Sequence, residues 1–246
     1  RWVVRMEGTK FTNFYNLVYN RHPELFRATD YFFMLDDDIT FENGVNDINK
    51  MFRTARRYHL RAAMPSFSHD SRLSWPITKH DTENGLVLAY TNFVEVNCPL
   101  ISRDAMERLM DVFHPNLIGW GIDYLLVWAN GMDKTRSFAV VHEIQVKNPQ
   151  TVEKSGKVFR ELKKSQEFSK RGALWQAWAK YVGAPVKFDH RVHAKVYRSE
   201  ESSNGTISFP VVQFRRIPSI STFIRTLINI HENTNIGDVS VSKAPS

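Results

Sequence analysis

The sequence predicts an α/β protein: a mixed sheet flanked by helices, with a basic helical extension at its C-terminal side. Three observations carry that expectation. Short unbroken apolar runs such as "YFFML" and "AAMPSF" fit strands covered on both faces. Segments between them repeat apolar residues every three or four positions, the period of a helix with one buried side. The two kinds alternate as far as about residue 148, the order of an α/β layer fold. The 246 residues suffice for one large domain, or for a domain with an appendage. Expected boundaries are 1–148 for the sheet domain, 149–198 for the basic extension, and 199–246 for a linker and small terminal element.

In chain order, "TNFYNLVYNRHPELF" gathers Phe14, Tyr15, Leu17 and Val18 on one helical side. "YFFML" follows as a strand. "GVNDINKMFRTARRYHL" sets Val45, Ile48, Met51, Phe52 and Ala55 at helical spacing, and "AAMPSF" is the next buried strand. Residues 68–84 are polar and turn-rich, hence a loop. "GLVLAY" and "NFVEVNCPLI" are strands. Ser102 is placed to cap a helix carrying Ala105, Leu109, Val112 and Phe113, and "IDYLLVWANG" is a helix closed by Gly131. "SFAVVH" is a further strand. From Thr151 the chain turns helical and basic, and "RSEESSNGT" is the linker candidate.

Composition narrows the function classes. Hydrophobic content of 42% with 24% charge excludes wholesale disorder, and no apolar run is long enough to span a bilayer. The N-terminal "RWVVRMEGTK" lacks the apolar core of a signal peptide and does not begin with Met, which points to a piece of a longer chain. The single Cys98 sits in an apolar run and reads as buried packing; a chain without disulfides fits a reducing compartment. A net charge of +7 favours anionic partners, but zinc-finger and RNA-binding signatures are missing, so nucleic acid is not the expected partner.

The chemistry concentrates at "YFFMLDDDIT". Three adjacent carboxylates leave the end of a buried strand, and ligands of α/β sheets collect at carboxyl ends. Asp36 and Asp38 share one side of an extended segment while Asp37 points away. Paired carboxylates suit Mg²⁺ or Mn²⁺ with a phosphate; the plainer alternative is a solvated turn. The same stretch matches the D-x-D-x-T motif of haloacid-dehalogenase phosphatases, with Asp36 as nucleophile and Asp38 as acid/base. That chemistry also needs a downstream lysine and a second acidic pair, and "IGDVSVSK" supplies Asp238 alone. In "GWGID", two glycines bracket Trp120, an aromatic platform, and Asp123 follows as a candidate general base. The structural alternative is a core Trp, with Asp123 facing a helix N-terminus. His142 ends "FAVVH" and is a metal-ligand candidate beside the strand-end carboxylates.

Together, D-x-D after an apolar strand, a later G-W-G-x-D and a following strand-end His resemble the GT-A class of nucleotide-sugar glycosyltransferases. "DDDI", "SWPIT", "FVEVNCPLISRDAM" and "GWGIDYLL", in that order, are similar to an uncharacterised glycosyltransferase family of bacteria and plants. The likeness covers about residues 8–146. It implies a Rossmann-related GT-A fold and transfer of a sugar from a nucleotide-diphosphate donor to a glycan or lipid-linked acceptor. The implied setting is cell-surface polysaccharide synthesis. Asp38 and His142 would hold the metal, with Asp36 on the metal or the donor ribose. Asp123 would be the acceptor base of an inverting reaction. Glu95 and Asn97 would face the sugar cleft, Trp75 would line the donor pocket, and Lys10 would contact the nucleotide or diphosphate. For Lys10 the competing expectation is a solvated surface lysine. A complete GT-A domain opens with a strand and loop that hold the base; only "RWVVRM" precedes the first helix here, so part of that site is expected upstream. A sugar-binding module without catalysis is the remaining alternative. The expected location is the cytoplasm. "RGALWQAWAKYVG", with Trp175, Trp178 and Tyr181 beside Arg171 and Lys180, suits the inner membrane face or, alternatively, packing on the catalytic domain.

Overall fold

Of the unbroken apolar runs, "AAMPSF" becomes an inner strand with every residue buried, whereas "YFFML", expected to be covered on both faces, gives a three-residue, half-buried strand at one end of the strand order. The computed structural model describes residues 4–6, 8–132, 136–149 and 166–198, and all of these fall within one unit of the chain, Arg1–Phe214. The expected linker and terminal element, 199–246, lie outside the described residues.

The helices are α1 (Lys10–Phe14), α2 (Pro23–Arg27), α3 (Val45–Arg57), α4 (Arg103–Val112), α5 (Ile122–Ala129) and α6 (Gln166–Val182). The strands are β1 (Tyr31–Phe33), β2 (Thr40–Phe41), β3 (Ala62–Phe67), β4 (Leu86–Thr91), β5 (Leu100–Ser102), β6 (Phe138–Lys147) and β7 (Val192–Tyr197). They form one seven-stranded mixed sheet in the order β1-β5-β3-β6-β4-β7, with β2 paired to β6. Among the described strands only β3 and β6 pair in parallel; the other pairs are antiparallel. The α/β class and the mixed sheet flanked by helices are therefore as expected, and the architecture is compatible with a Rossmann-like fold.

All six residues of β3 and all six of β4 are buried. On α3, Asp47, Met51, Thr54 and Ala55 form the buried stripe at positions i, i+4, i+7 and i+8. Met51 and Ala55 pack with Ala63, Leu88, Leu100 and Val141 in the core. Ser102 caps α4 as expected, accepting from the Ala105 amide at 3.3 Å.

Four expectations need correction. The first long helix is divided: a π-helical stretch, Tyr15–Arg21, separates α1 from α2, and Pro23, which has no N–H to donate, opens α2. "NFVEVNCPLI" pairs as a strand only from Leu100; residues 93–99 run irregularly, with a turn just before Pro99. "SFAVVH" is too short, since β6 continues to Lys147. Finally, residue 148 is not a packing boundary. β7 hydrogen-bonds along β4, and Trp175 and Trp178 of α6 are buried. Their indole N–H groups donate to Val186 O at 3.0 Å and Val112 O at 2.9 Å. Trp175 and Trp178 are therefore packed within the fold, as the alternative expectation had it, while Tyr181 is half-buried. Among the described residues no helix is long and apolar enough to cross one.

Gly121 shows how tightly α6 is seated. Its φ is +81°, and a Cβ there would lie 2.1 Å from the Trp175 ring. Gly121→Ala is expected to lower stability by about 2–4 kcal/mol from combined backbone strain and overpacking, read as a lower urea midpoint.

The strand directions gather one edge. β3 and β6 are parallel, so Phe67 and Lys147 end together. β2 is antiparallel to β6 with Thr40 opposite Lys147, which brings Asp38 to that same edge. β1 runs with β3 because each is antiparallel to β5, so the residues after Phe33 also lead there.

Candidate active site

Asp36 sits where the β1–β5 ladder frays at this edge, its amide donating to Asn97 O at 2.8 Å. Its carboxylate Oδ1 receives the Lys10 ammonium at 2.7 Å. Lys10 Nζ also donates to Asn97 O at 2.8 Å and Met34 O at 3.1 Å. Burial lowers the Lys10 pKa, while Asp36 works against that fall. The expectation of a solvated surface lysine is therefore overturned. Asp37 is exposed and Asp38 half-buried.

From Asn97 the network runs inward. Its Nδ2 donates to Glu95 Oε1 at 2.9 Å, and the Glu95 amide lies 3.1 Å from Met64 Sδ. Glu95 is only 3% exposed and Asp123 7%. Burial drives the Asp123 pKa up to about 7, and the nearby Glu95 charge adds to the rise. The Tyr124 amide, 3.0 Å from Asp123 Oδ1, opposes it. A carboxyl half-ionised near neutrality can give or take a proton, as an acid/base group requires. Asp123 holds this place because Gly121, left-handed, opens α5 directly ahead of it.

An aromatic cluster adjoins the carboxyls through chain neighbours: Phe93 is two residues from Glu95, and Tyr124 follows Asp123. His190 stacks on Phe93 with ring centroids 3.8 Å apart, and Trp75 meets His190 edge-on at 4.6 Å. Trp75 also meets Phe93 at 6.0 Å and Tyr124 at 6.3 Å. Tyr124 Oη and His190 Nε2 are buried with no hydrogen-bond partner among the described residues. Trp120 is apart from this cluster and 50% exposed, with the Arg171 guanidinium 5.0 Å from its ring centroid.

His142 is not at the edge. It lies five residues before the end of β6, and its Nδ1 accepts from the Asp81 amide at 3.0 Å. Burial presses its pKa down to about 4, so it is neutral at pH 7. Its surroundings are a different polar cluster. The His80 ring is 6.0 Å away, His80 Nδ1 meets Ser66 Oγ at 2.9 Å, and Lys195 binds Asp81 at 2.7 Å and also Glu83. Among the described residues no group of three or more His, Cys, Asp or Glu side chains could hold a metal ion. Asp36 is engaged by an ammonium and His142 by an amide N–H. The expected trio of Asp36, Asp38 and His142 thus does not fit a metal centre.

The residue that does follow the end of β6 is Asn148, which the sequence reading missed. It is 3% exposed. Its amide donates to Ser71 Oγ and its Nδ2 to Arg72 O, each at 3.0 Å, while Oδ1 is buried with no partner among the described residues. Alternation of inward residues through Val140, His142, Ile144 and Val146 was the available signal that the strand continues.

Cys98 is fully buried, and burial raises its thiol pKa well above the usual range. The native protein is expected to react with Ellman's reagent much more slowly than the urea-unfolded chain.

The chain matches no protein-family model, no curated protein and no solved structure.

Proposed function

We propose that the chain is a GT-A-class glycosyltransferase that moves a sugar from a nucleotide-diphosphate donor to a hydroxyl of a glycan or lipid-linked acceptor. The observation that carries this reading is the buried pair Glu95 and Asp123 at the ligand-collecting side of an α/β sheet. One member titrates near neutrality. An acceptor alcohol needs a base of that strength, held away from bulk water, to become a nucleophile.

In the reaction so assigned, Asp123 takes the acceptor O–H proton. The acceptor oxygen bonds the anomeric carbon as the bond from that carbon to the diphosphate oxygen breaks, and the nucleotide diphosphate departs. Attack from the opposite face inverts the anomeric configuration. Glu95, fixed by Asn97, lies near enough to Asp123 to add to the rise of its pKa. Trp75 belongs to an aromatic wall beside the pair, and exposed Trp120 offers a face to the sugar rings of an acceptor. Mn²⁺ or Mg²⁺ would supply charge neutralisation at the diphosphate in this enzyme class, but two of its three expected ligands are committed elsewhere, so no step depends on it here.

A panel of nucleotide sugars, with and without Mn²⁺, tests the reading through release of nucleotide diphosphate. One donor is expected to be hydrolysed slowly by the wild-type chain, and NMR of the transferred product should show inversion. A folded protein that binds a nucleotide sugar yet turns over none of the panel would favour the non-catalytic sugar-binding module.

One contact favours a second reading, the dehalogenase-type phosphatase. That chemistry wants a lysine at the nucleophile, and Lys10 lies 2.7 Å from Asp36, although it comes from upstream. Hydrolysis of p-nitrophenyl phosphate with Mg²⁺, abolished by Asp36→Asn, would establish it.

A further inference from the structure

Three adjacent carboxylates demand a nearby positive charge, and the fold supplies one from its own chain. An ammonium has three N–H groups. Those of Lys10 have three acceptors within reach: Asp36 Oδ1 at 2.7 Å, Asn97 O at 2.8 Å and Met34 O at 3.1 Å. The acceptors belong to the two segments that extend the β1–β5 ladder, which the Asp36 amide also bridges through Asn97 O. Lys10 reaches this point from the first residue of α1, whose entry is fixed by the Thr9 cap and whose next residue, Phe11, is 2% exposed. Moving the ammonium aside would take a donor from Met34 O and from Asn97 O, of which Asn97 O keeps the Asp36 amide, or would unseat α1. A divalent ion on Asp36 would have to displace this ammonium or sit beside it, like charge against like.

We propose that Lys10 is the resident counter-cation of the acidic triplet. Its ammonium, rather than a divalent ion, neutralises Asp36. Asp36 is then a positioning residue that holds Lys10 and Asn97 and, through the Asn97 amide, Glu95. The triplet divides by role: Asp36 is closed internally, whereas Asp37 is open to solvent. The inference stands apart from glycosyl transfer, because it concerns which cation Asp36 takes and is read without turnover.

Mn²⁺ binding, followed by the loss of the free-ion electron paramagnetic resonance signal, tests it on wild type, D36N, K10M and the double variant K10M/D36N. Wild type and D36N are expected to bind Mn²⁺ alike, within about threefold. K10M, which leaves Asp36 without its partner, should bind about tenfold more tightly, and K10M/D36N should lose that gain, as carboxylate count sets affinity for hard cations. A loss beyond about threefold in D36N would overturn the proposal, because Asp36 would then be a ligand in the native protein. So would a folded K10M that gains nothing. Circular dichroism verifies folding, and if K10M does not fold, the comparison of wild type with D36N decides alone.

Discussion

Replacing Asp123 by Asn is expected to lower the rate of the proposed sugar transfer by about 10²–10⁴-fold, the usual contribution of a general base. The amide keeps the size of the carboxyl and can still accept from the Tyr124 amide, so folding is retained and the loss is chemical. The wild-type rate should rise with pH through about 7 and then level, because only the ionised carboxyl accepts a proton. The variant's residual rate should show no such step. The same substitution has an opposite effect on stability. In the folded state Asp123 keeps its proton from 3.8 up to about 7, whereas the unfolded chain releases it near 3.8. The folded state binds the extra proton across that window, so stability falls as pH rises through it and levels above about 7. The full loss is of order 4 kcal/mol. Asp123→Asn removes it, so the variant should be more stable than wild type at pH 8 and nearly equal at pH 4. Urea midpoints at the two pH values check this. A wild-type protein equally stable at both would show that Asp123 ionises as freely in the fold as in water.

Trp175→Ala is expected to destabilise the whole protein by about 3–5 kcal/mol, the cost of emptying a fully buried indole site. Trp175 is 1% exposed, donates to Val186 O, and faces the Tyr124 ring with centroids 6.4 Å apart. Its ring also fills the space above Gly121, the residue that opens α5 before Asp123. If α6 were an appendage, its loss would leave the main unfolding transition unmoved. Because α6 is part of the core, tryptophan fluorescence and circular dichroism should report one coincident transition at lower urea concentration. Any donor-hydrolysis activity should fall with it, since the first turn of α5 loses its support.

How much was legible can be seen in particular residues. "AAMPSF" is β3 residue for residue, because six consecutive buried positions leave no other reading for a short run. The Ser102 cap was legible because capping is local: a hydroxyl and an amide three residues on. Asp123 was legible as a carboxyl at the start of a helix, but not its pKa near 7, which arises from burial and from Glu95, 28 residues earlier in the chain. His142 was misplaced because the apolar run stops there while the strand does not. Glu143 and Gln145 face outward on the alternate side, and Glu143 is paired with Lys50 at 3.0 Å. β7 was missed because its six residues, from a segment read as helical, are half-buried or exposed; pairing with β4, some 105 residues distant, makes it a strand.

The sequence by itself determined the alternation of elements, the buried strands and the acidic triplet at a strand end, because these rest on local patterns of two to four residues. Only the tertiary structure decided which cation meets Asp36 of the triplet. The lysine that does so is 26 residues away, and its separation in space is set by how α1 docks against β1 and β5. Charge pairing acts through distance, and distance between remote residues is fixed by packing.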